Sequence, residues 1–178
     1  MTVDIKRIID LRLKLHRLPE LSGQEYKTSE IIERFFAKYK PDKVLNLSQT
    51  GKAFVFDSKK EGKTIMFRAE LDALPIDEPK DIINHSHNKG ISHKCGHDGH
   101  MAILSGLAET ISFDRPKQGK VVFLFQPAEE NLSGAKTIID DPAFKEIEPD
   151  LIFAVHNLPG FEEGAVILKD GNFTGATS

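Results

Sequence analysis

The sequence is short of cysteine, of long apolar runs and of excess charge of either sign. One cysteine, Cys95, stands among 178 residues. It cannot form an internal disulfide, so a secreted scaffold held by cross-links is excluded. No apolar run approaches the roughly 18 residues that a membrane span needs. Residues 1–21 mix charge with Ile and Leu throughout and lack the apolar centre of a signal peptide. Lys and Arg number 24 against 27 Asp and Glu, a net charge of −3. That balance excludes a strongly basic nucleic-acid binder. With 39% hydrophobic residues, a hydrophobe-poor disordered chain is excluded too. The expectation is a soluble cytoplasmic protein of one domain, or one and a part.

What is present is patterned. Ile8, Leu11, Leu15 and Leu18 follow helical spacing, and Pro19 ends that helix. Ile31, Ile32, Phe35, Phe36 and Tyr39 place a second helix over 24–39. Lys52–Phe56 and Thr64–Phe67 read as two strands and a turn at Lys59-Lys60-Glu61-Gly62. Residues 73–96 form a long loop, a kind that is usually functional or disordered. Its His85, His87 and His93 are expected at the surface. Met101, Leu104, Leu107, Ala108 and Ile111 share one face of a helix that starts near His97. Val121–Phe125 and Leu151–Val155 are continuous apolar runs, the pattern of strands buried on both faces. A short helix over 133–140 lies between them, and Ala165–Leu168 reads as a further strand. Helices alternating with buried strands predict an α/β fold, three layers α/β/α with a mainly parallel central sheet.

In such sheets, ligands bind beyond the carboxyl ends of strands. Thr64–Phe67 runs into Arg68-Ala69-Glu70-Leu71-Asp72, Val121–Phe125 into Gln126-Pro127-Ala128-Glu129-Glu130-Asn131, and Leu151–Val155 into His156-Asn157. A fourth cluster, His93-Lys94-Cys95-Gly96-His97-Asp98-Gly99-His100, opens a helix. Cys95 and His97 offer a thiolate and an imidazole that suit zinc and its neighbours. A carboxylate from Glu130 and an imidazole from His156 would complete a four-ligand set. Glu129 points the other way along an extended backbone, so one carboxylate can bind metal while the other acts as base on a water. Singly, each residue has a plainer reading. Cys95 would be a small buried residue, Glu129-Glu130 a solvated pair, His156 a structural histidine and Asp72 a turn or capping residue. Their joint placement at strand ends favours the metal reading.

The segments Leu15-His16-Arg17-Leu18-Pro19-Glu20-Leu21-Ser22, Arg68-Ala69-Glu70-Leu71-Asp72-Ala73-Leu74-Pro75-Ile76, His93 to His100, Phe125-Gln126-Pro127-Ala128-Glu129-Glu130 and Ala154-Val155-His156-Asn157-Leu158-Pro159 carry a resemblance. In this order the sequence resembles the aminoacylase, hippurate hydrolase and auxin-conjugate amidohydrolase branch of the zinc-dependent aminoacylase/carboxypeptidase metallopeptidases. The resemblance implies an amidohydrolase with two divalent metal ions, which could be zinc, manganese, cobalt or nickel. It implies Cys95, His97, Glu130 and His156 as metal ligands, Glu129 as the general base, and Asp72 as a group that orients a ligand. The substrate it implies is an N-acyl amino acid or related small amide, with no nucleic-acid or membrane partner.

Two departures accompany it. Glu70 stands where this branch usually has Asp, and its extra length is expected to shift nearby loop geometry. Members are about twice this length, beyond one average domain. They insert a lid and dimerisation domain after roughly the point where this sequence ends, and Gly171–Ser178 resembles the approach to it. Residues 1–178 are therefore expected to be the N-terminal portion of the catalytic domain. Its sheet would be incomplete at the C-terminus, with the lid and one last histidine ligand missing. Unfinished sheet edges would invite a homo-oligomer. The competing expectation is a truncated, non-catalytic fragment that binds metal weakly or acts as an interaction module.

Overall fold

The computed structural model describes residues 2–171. Helix α1 (Ile5–Arg17) is followed by α2 (Tyr26–Phe36), which tightens into a 3-10 turn at Ala37–Tyr39. Strands β1 (Lys43–Leu47), β2 (Gly51–Asp57) and β3 (Thr64–Glu70) come next. After the long loop lie α3 (His97–Phe113), β4 (Lys120–Gln126), α4 (Gly134–Ile139) and β5 (Leu151–Ala154). Asp4 caps α1 by accepting the Arg7 amide at 3.1 Å, and Lys14, His16 and Arg17 in its last turn complement the helix dipole.

The strands form one sheet in the order β1-β2-β4-β3-β5. The side chains of β4 divide the interior in two. Val121, Phe123 and Phe125 face a larger core shared with Leu11 and Leu15 of α1, Phe36 of α2 and Met101 and Leu104 of α3. Val122 and Leu124 face a smaller core with Leu45, Met66, Ile138 and Ile147. This is the period-two alternation of a strand covered on both faces. Phe36 is fully buried, stacked 4.2 Å from Phe54 and edge-on to Phe125 at 5.2 Å. The expected α/β/α layering is present.

Within it the sheet is mixed. β4-β3 and β3-β5 are parallel, whereas β1-β2 and β2-β4 are antiparallel. Ser48–Thr50 is too short a connection for anything but a hairpin between β1 and β2. β2 and β3 are not neighbours, because β4 inserts between them. β1 was hidden from the sequence pattern by its polar residues, Lys43 and Asn46, which are exposed at the sheet edge.

Three further expectations are corrected. β5 is not buried on both faces: Leu151, Ile152 and Phe153 are 46%, 56% and 49% exposed. It pairs with β3 alone, at the edge of the sheet. Phe153 stacks on Phe67 at 5.5 Å. Ala165–Leu168 forms no strand. His93 is buried at 5% exposure, unlike His87. Of Gly171–Ser178, expected to approach an inserted domain, residues 172–178 lie outside the described residues. No helix among the described residues is long and apolar enough to cross a membrane.

The parallel half of the sheet positions the site. Glu70 pairs with Gln126 in the β3-β4 register, and Arg68 pairs with Ala154 in the β3-β5 register. The three polar clusters that follow these strands therefore emerge at one rim, as expected. The long loop before α3 is held there too. The Ala73 amide donates to the Glu20 carbonyl at 2.8 Å, and Leu74 and Ser92 exchange two backbone bonds.

Candidate metal centre

Gly96 supplies the turn that opens α3. It has φ +97°, and a Cβ there would lie 2.3 Å from Asn157 Oδ1. A side chain would thus collide with the segment that follows β5. The turn places Cys95 and His97 beside His156, with Cys95 Sγ 3.4 Å from His156 Nε2. Cys95, His97 and His156 each offer one donor atom within a common span of 4.8 Å, and so do His97, Glu129 and Glu130.

His97 links the two groups. Its Nδ1 donates to the Asp72 carbonyl at 2.7 Å. A carbonyl can only accept, so Nδ1 carries a proton, and in the neutral ring the Nε2 lone pair is left for another partner. Nε2 lies 3.7 Å from both Glu129 Oε2 and Glu130 Oε1, so the two carboxylates face the same nitrogen from a turn and do not point apart along an extended backbone as expected. His97 Nε2 and Glu130 Oε1 are buried and have no hydrogen-bond partner. Buried polar atoms rarely stay unpaired. An electron-pair donor and a carboxylate oxygen facing one space, with a thiol and a second imidazole alongside, fit a divalent cation. His156 matches the pattern: its Nδ1 donates to the Asn157 carbonyl at 2.7 Å, leaving Nε2 toward Cys95.

Electrostatics agree with that fit. Burial pushes the Cys95 thiol up to about 12, with Glu130 and Glu129 adding to the effect. A coordinated cation would reverse this, because a thiol bound to metal is deprotonated. Burial lifts the Glu129 carboxyl above its ordinary value, against the pull of His97 and with the help of Glu130. A raised carboxyl suits a group that must accept and return a proton near neutral pH. For Asp72, burial acts upward but is outweighed by hydrogen bonds from His97, Ser22 and the Glu130 amide, so it stays ionised with a pKa of about 2.

The carboxylates ride on a constrained loop. The Gln126 carbonyl accepts the Leu71 amide at 2.8 Å, which carries the β3-β4 ladder one step further. Ala128 has φ 51°, a left-handed conformation costing a non-glycine residue roughly 1–2 kcal/mol. Asp72 Oδ2 accepts the Glu130 amide at 3.0 Å, and the Ala128 carbonyl accepts the Gly134 amide at 2.9 Å. Gly134 is obligatory: a Cβ there would lie 1.6 Å from the Pro127 carbonyl oxygen.

The sequence matches the model of peptidase family M20/M25/M40 over residues 66–171, more than half of the chain. The chain belongs to that family. Among solved structures it is similar to the YXEP protein of Bacillus subtilis, described as a dinuclear metal-binding peptidase of the M20 family. There the TM-score is 0.79 and the identity 37%, over 86% of this chain and 43% of that one. It is also similar to a putative aminohydrolase from methicillin-resistant Staphylococcus aureus, with TM-score 0.76 and 40% identity over 85% of this chain and 40% of that one. An N-acetyldiaminopimelate deacetylase from Anoxybacillus flavithermus is 35% identical over 171 residues, 96% of this chain and 45% of the relative. The M20 chain thus spans about half the length of the relatives it matches.

All six residues singled out from the sequence gather at this rim. For other polar groups there, the sequence did not indicate the partners. Glu70 reaches His100 Nδ1 at 2.9 Å and Arg68 at 2.6 Å, while His100 Nε2 lies 2.8 Å from Asn157 Oδ1. Here the longer Glu70 side chain braces the segment that carries His156. His16 bridges Asp98 at 2.8 Å and Glu78 at 3.1 Å, and Arg12 joins Asp98 at 2.8 Å. That network ties α1 to the first turn of α3. In the sequence, its members show as charge inside an otherwise amphipathic helix and as part of two of the segments that carry the resemblance, with nothing to pair them.

Proposed function

We propose that the protein to which this sequence belongs is a metal-dependent amidohydrolase that cleaves the amide bond of N-acyl amino acids or related small amides. The observation that carries the reading is the pair of unpartnered buried atoms, His97 Nε2 and Glu130 Oε1, facing the same space as Cys95, His156 and Glu129. The deacetylase among the relatives, whose name gives an N-acetylated amino acid as its substrate, supports the substrate class. The dinuclear metal-binding neighbour supports two ions. Residues 1–178 are read as the N-terminal portion of the catalytic domain. A cytoplasmic setting would keep the Cys95 thiol reduced.

Cys95, His97, Glu130 and His156 would hold divalent metal, which when bound supplies Lewis acidity for the amide carbonyl and lowers the pKa of water. Glu129 takes a proton from the attacking water on its carboxylate. As the C–N bond breaks, it returns that proton to the departing amine nitrogen, and the products are a carboxylate and a free amino group. Asp72 fixes the His97 tautomer through its carbonyl and the Glu130 backbone through its carboxylate. The test is hydrolysis of N-acetyl and N-benzoyl amino acids by the metal-loaded protein, with Glu129→Gln as the control. Turnover that persists in a metal-loaded Glu129→Gln protein would overturn the assigned role. Metal uptake without turnover would favour the non-catalytic reading.

A further inference from the structure

Glu25 is fully buried, yet it makes no ion pair among the described residues. It occupies the N-cap position of α2, but its side chain does not cap that helix. Glu20 does so instead, accepting the Thr28 amide and hydroxyl at 2.8 and 2.9 Å. The Glu25 carboxylate points elsewhere. Oε1 accepts the Gly23 amide at 2.8 Å and the Ala128 amide at 2.8 Å, and Oε2 accepts the Thr50 hydroxyl at 2.8 Å. A buried carboxylate served only by neutral donors is costly unless those bonds are well formed. The Ala128 bond spans 103 residues and holds the one left-handed residue directly before Glu129.

The loop is therefore gripped by two buried carboxylates. Glu25 holds the amide on one side of Glu129, and Asp72 holds the amide on the other, at Glu130. We propose that Glu25 is a positioning residue for the reaction: by fixing the left-handed turn at Ala128 it aims the Glu129 carboxylate and holds the Glu130 carboxylate in place. The proposal rests on the metal reading above for what the two carboxylates do. It adds a group on the far side of the loop, at the N-cap position of α2, that touches neither metal nor substrate.

Amide hydrogen exchange and zinc titration of the 178-residue chain test it. Glu25→Ala should speed exchange in 126–134 about tenfold, the effect of losing a hydrogen bond to a charged group, and leave the helices and β2 unchanged. It should weaken zinc binding about tenfold. Glu25→Gln should restore both, because its amide oxygen can accept from Gly23 and Ala128 while its NH2 donates to the Thr50 hydroxyl. Glu25→Asp, which keeps the charge but withdraws it by one methylene, should behave like Glu25→Ala and carries the prediction if the alanine variant does not fold. Faster exchange spread evenly over the sheet, with zinc affinity unchanged, would overturn the proposal in favour of a general structural role. Glu25→Gln failing as fully as Glu25→Ala in folded protein would overturn it as well. A parent chain that takes up no zinc would refute the metal reading, and the exchange data would still decide the part played by Glu25.

Discussion

The carbonyl oxygen of Asp72 lies 2.7 Å from His97 Nδ1, so one backbone atom sets which nitrogen of the histidine is left free. The carboxylate of the same residue holds the Glu130 amide at 3.0 Å. Asp72 thereby couples the end of β3 to both α3 and the loop after β4. Asp72→Asn should keep the carbonyl contact but weaken the grip on Glu130. Zinc affinity, measured by competition with a chelator, should fall about 10–100-fold. An unchanged affinity would show that the carboxylate plays no part in shaping the site.

Glu129→Gln removes the proton acceptor and nearly preserves shape. In the metal-loaded enzyme, kcat should drop about 10²–10⁴-fold, with little change in metal content. A KM effect alone would place Glu129 in substrate binding instead.

Phe36 bridges α2 to the sheet through Phe54, Phe123 and Phe125. Phe36→Ala leaves a cavity in the larger core and should cost about 3–5 kcal/mol, read from urea unfolding. A loss below about 1 kcal/mol would mean that the α2 layer is poorly packed.

Glu78 predicts an acid limb of stability. Burial acts upward on its carboxyl, but Lys94, the Ser86 amide and His16 outweigh it and bring its pKa to about 2, from 4.5. A depressed carboxyl contributes fully above its unfolded pKa and loses that contribution as pH falls toward its folded one. Thermal midpoints should therefore decline as pH drops from 4.5 toward 2, and Glu78→Gln should flatten the decline. An identical pH slope in the variant would contradict this.

The site was legible in the sequence wherever local order carried it. Cys95-Gly96-His97, Glu129-Glu130 and His156 each follow or open a regular element, and a parallel arrangement brings strand ends to one rim. What stayed hidden depends on pairings distant along the chain. Glu25 looks like a helix start, since nothing near it in sequence points to Ala128. His93 looks like loop surface until residues from several elements close over it, and its burial then brings its pKa down to about 4. β5 read as buried because apolar continuity reports composition, not which neighbours cover a strand. The mixed sheet was unreadable for a related reason: which strand lies between β2 and β3 is a matter of topology, and β4 arrives there from about 50 residues downstream.

Zinc K-edge X-ray absorption on the zinc-loaded chain, beside its Cys95→Ser variant, addresses the metal centre most directly. The parent spectrum should contain one sulfur at about 2.3 Å with nitrogen and oxygen near 2.0–2.2 Å, and the sulfur shell should vanish in the variant. A parent shell of nitrogen and oxygen alone, or a sulfur that survives Cys95→Ser, would contradict a centre built on Cys95, His97, Glu130 and His156.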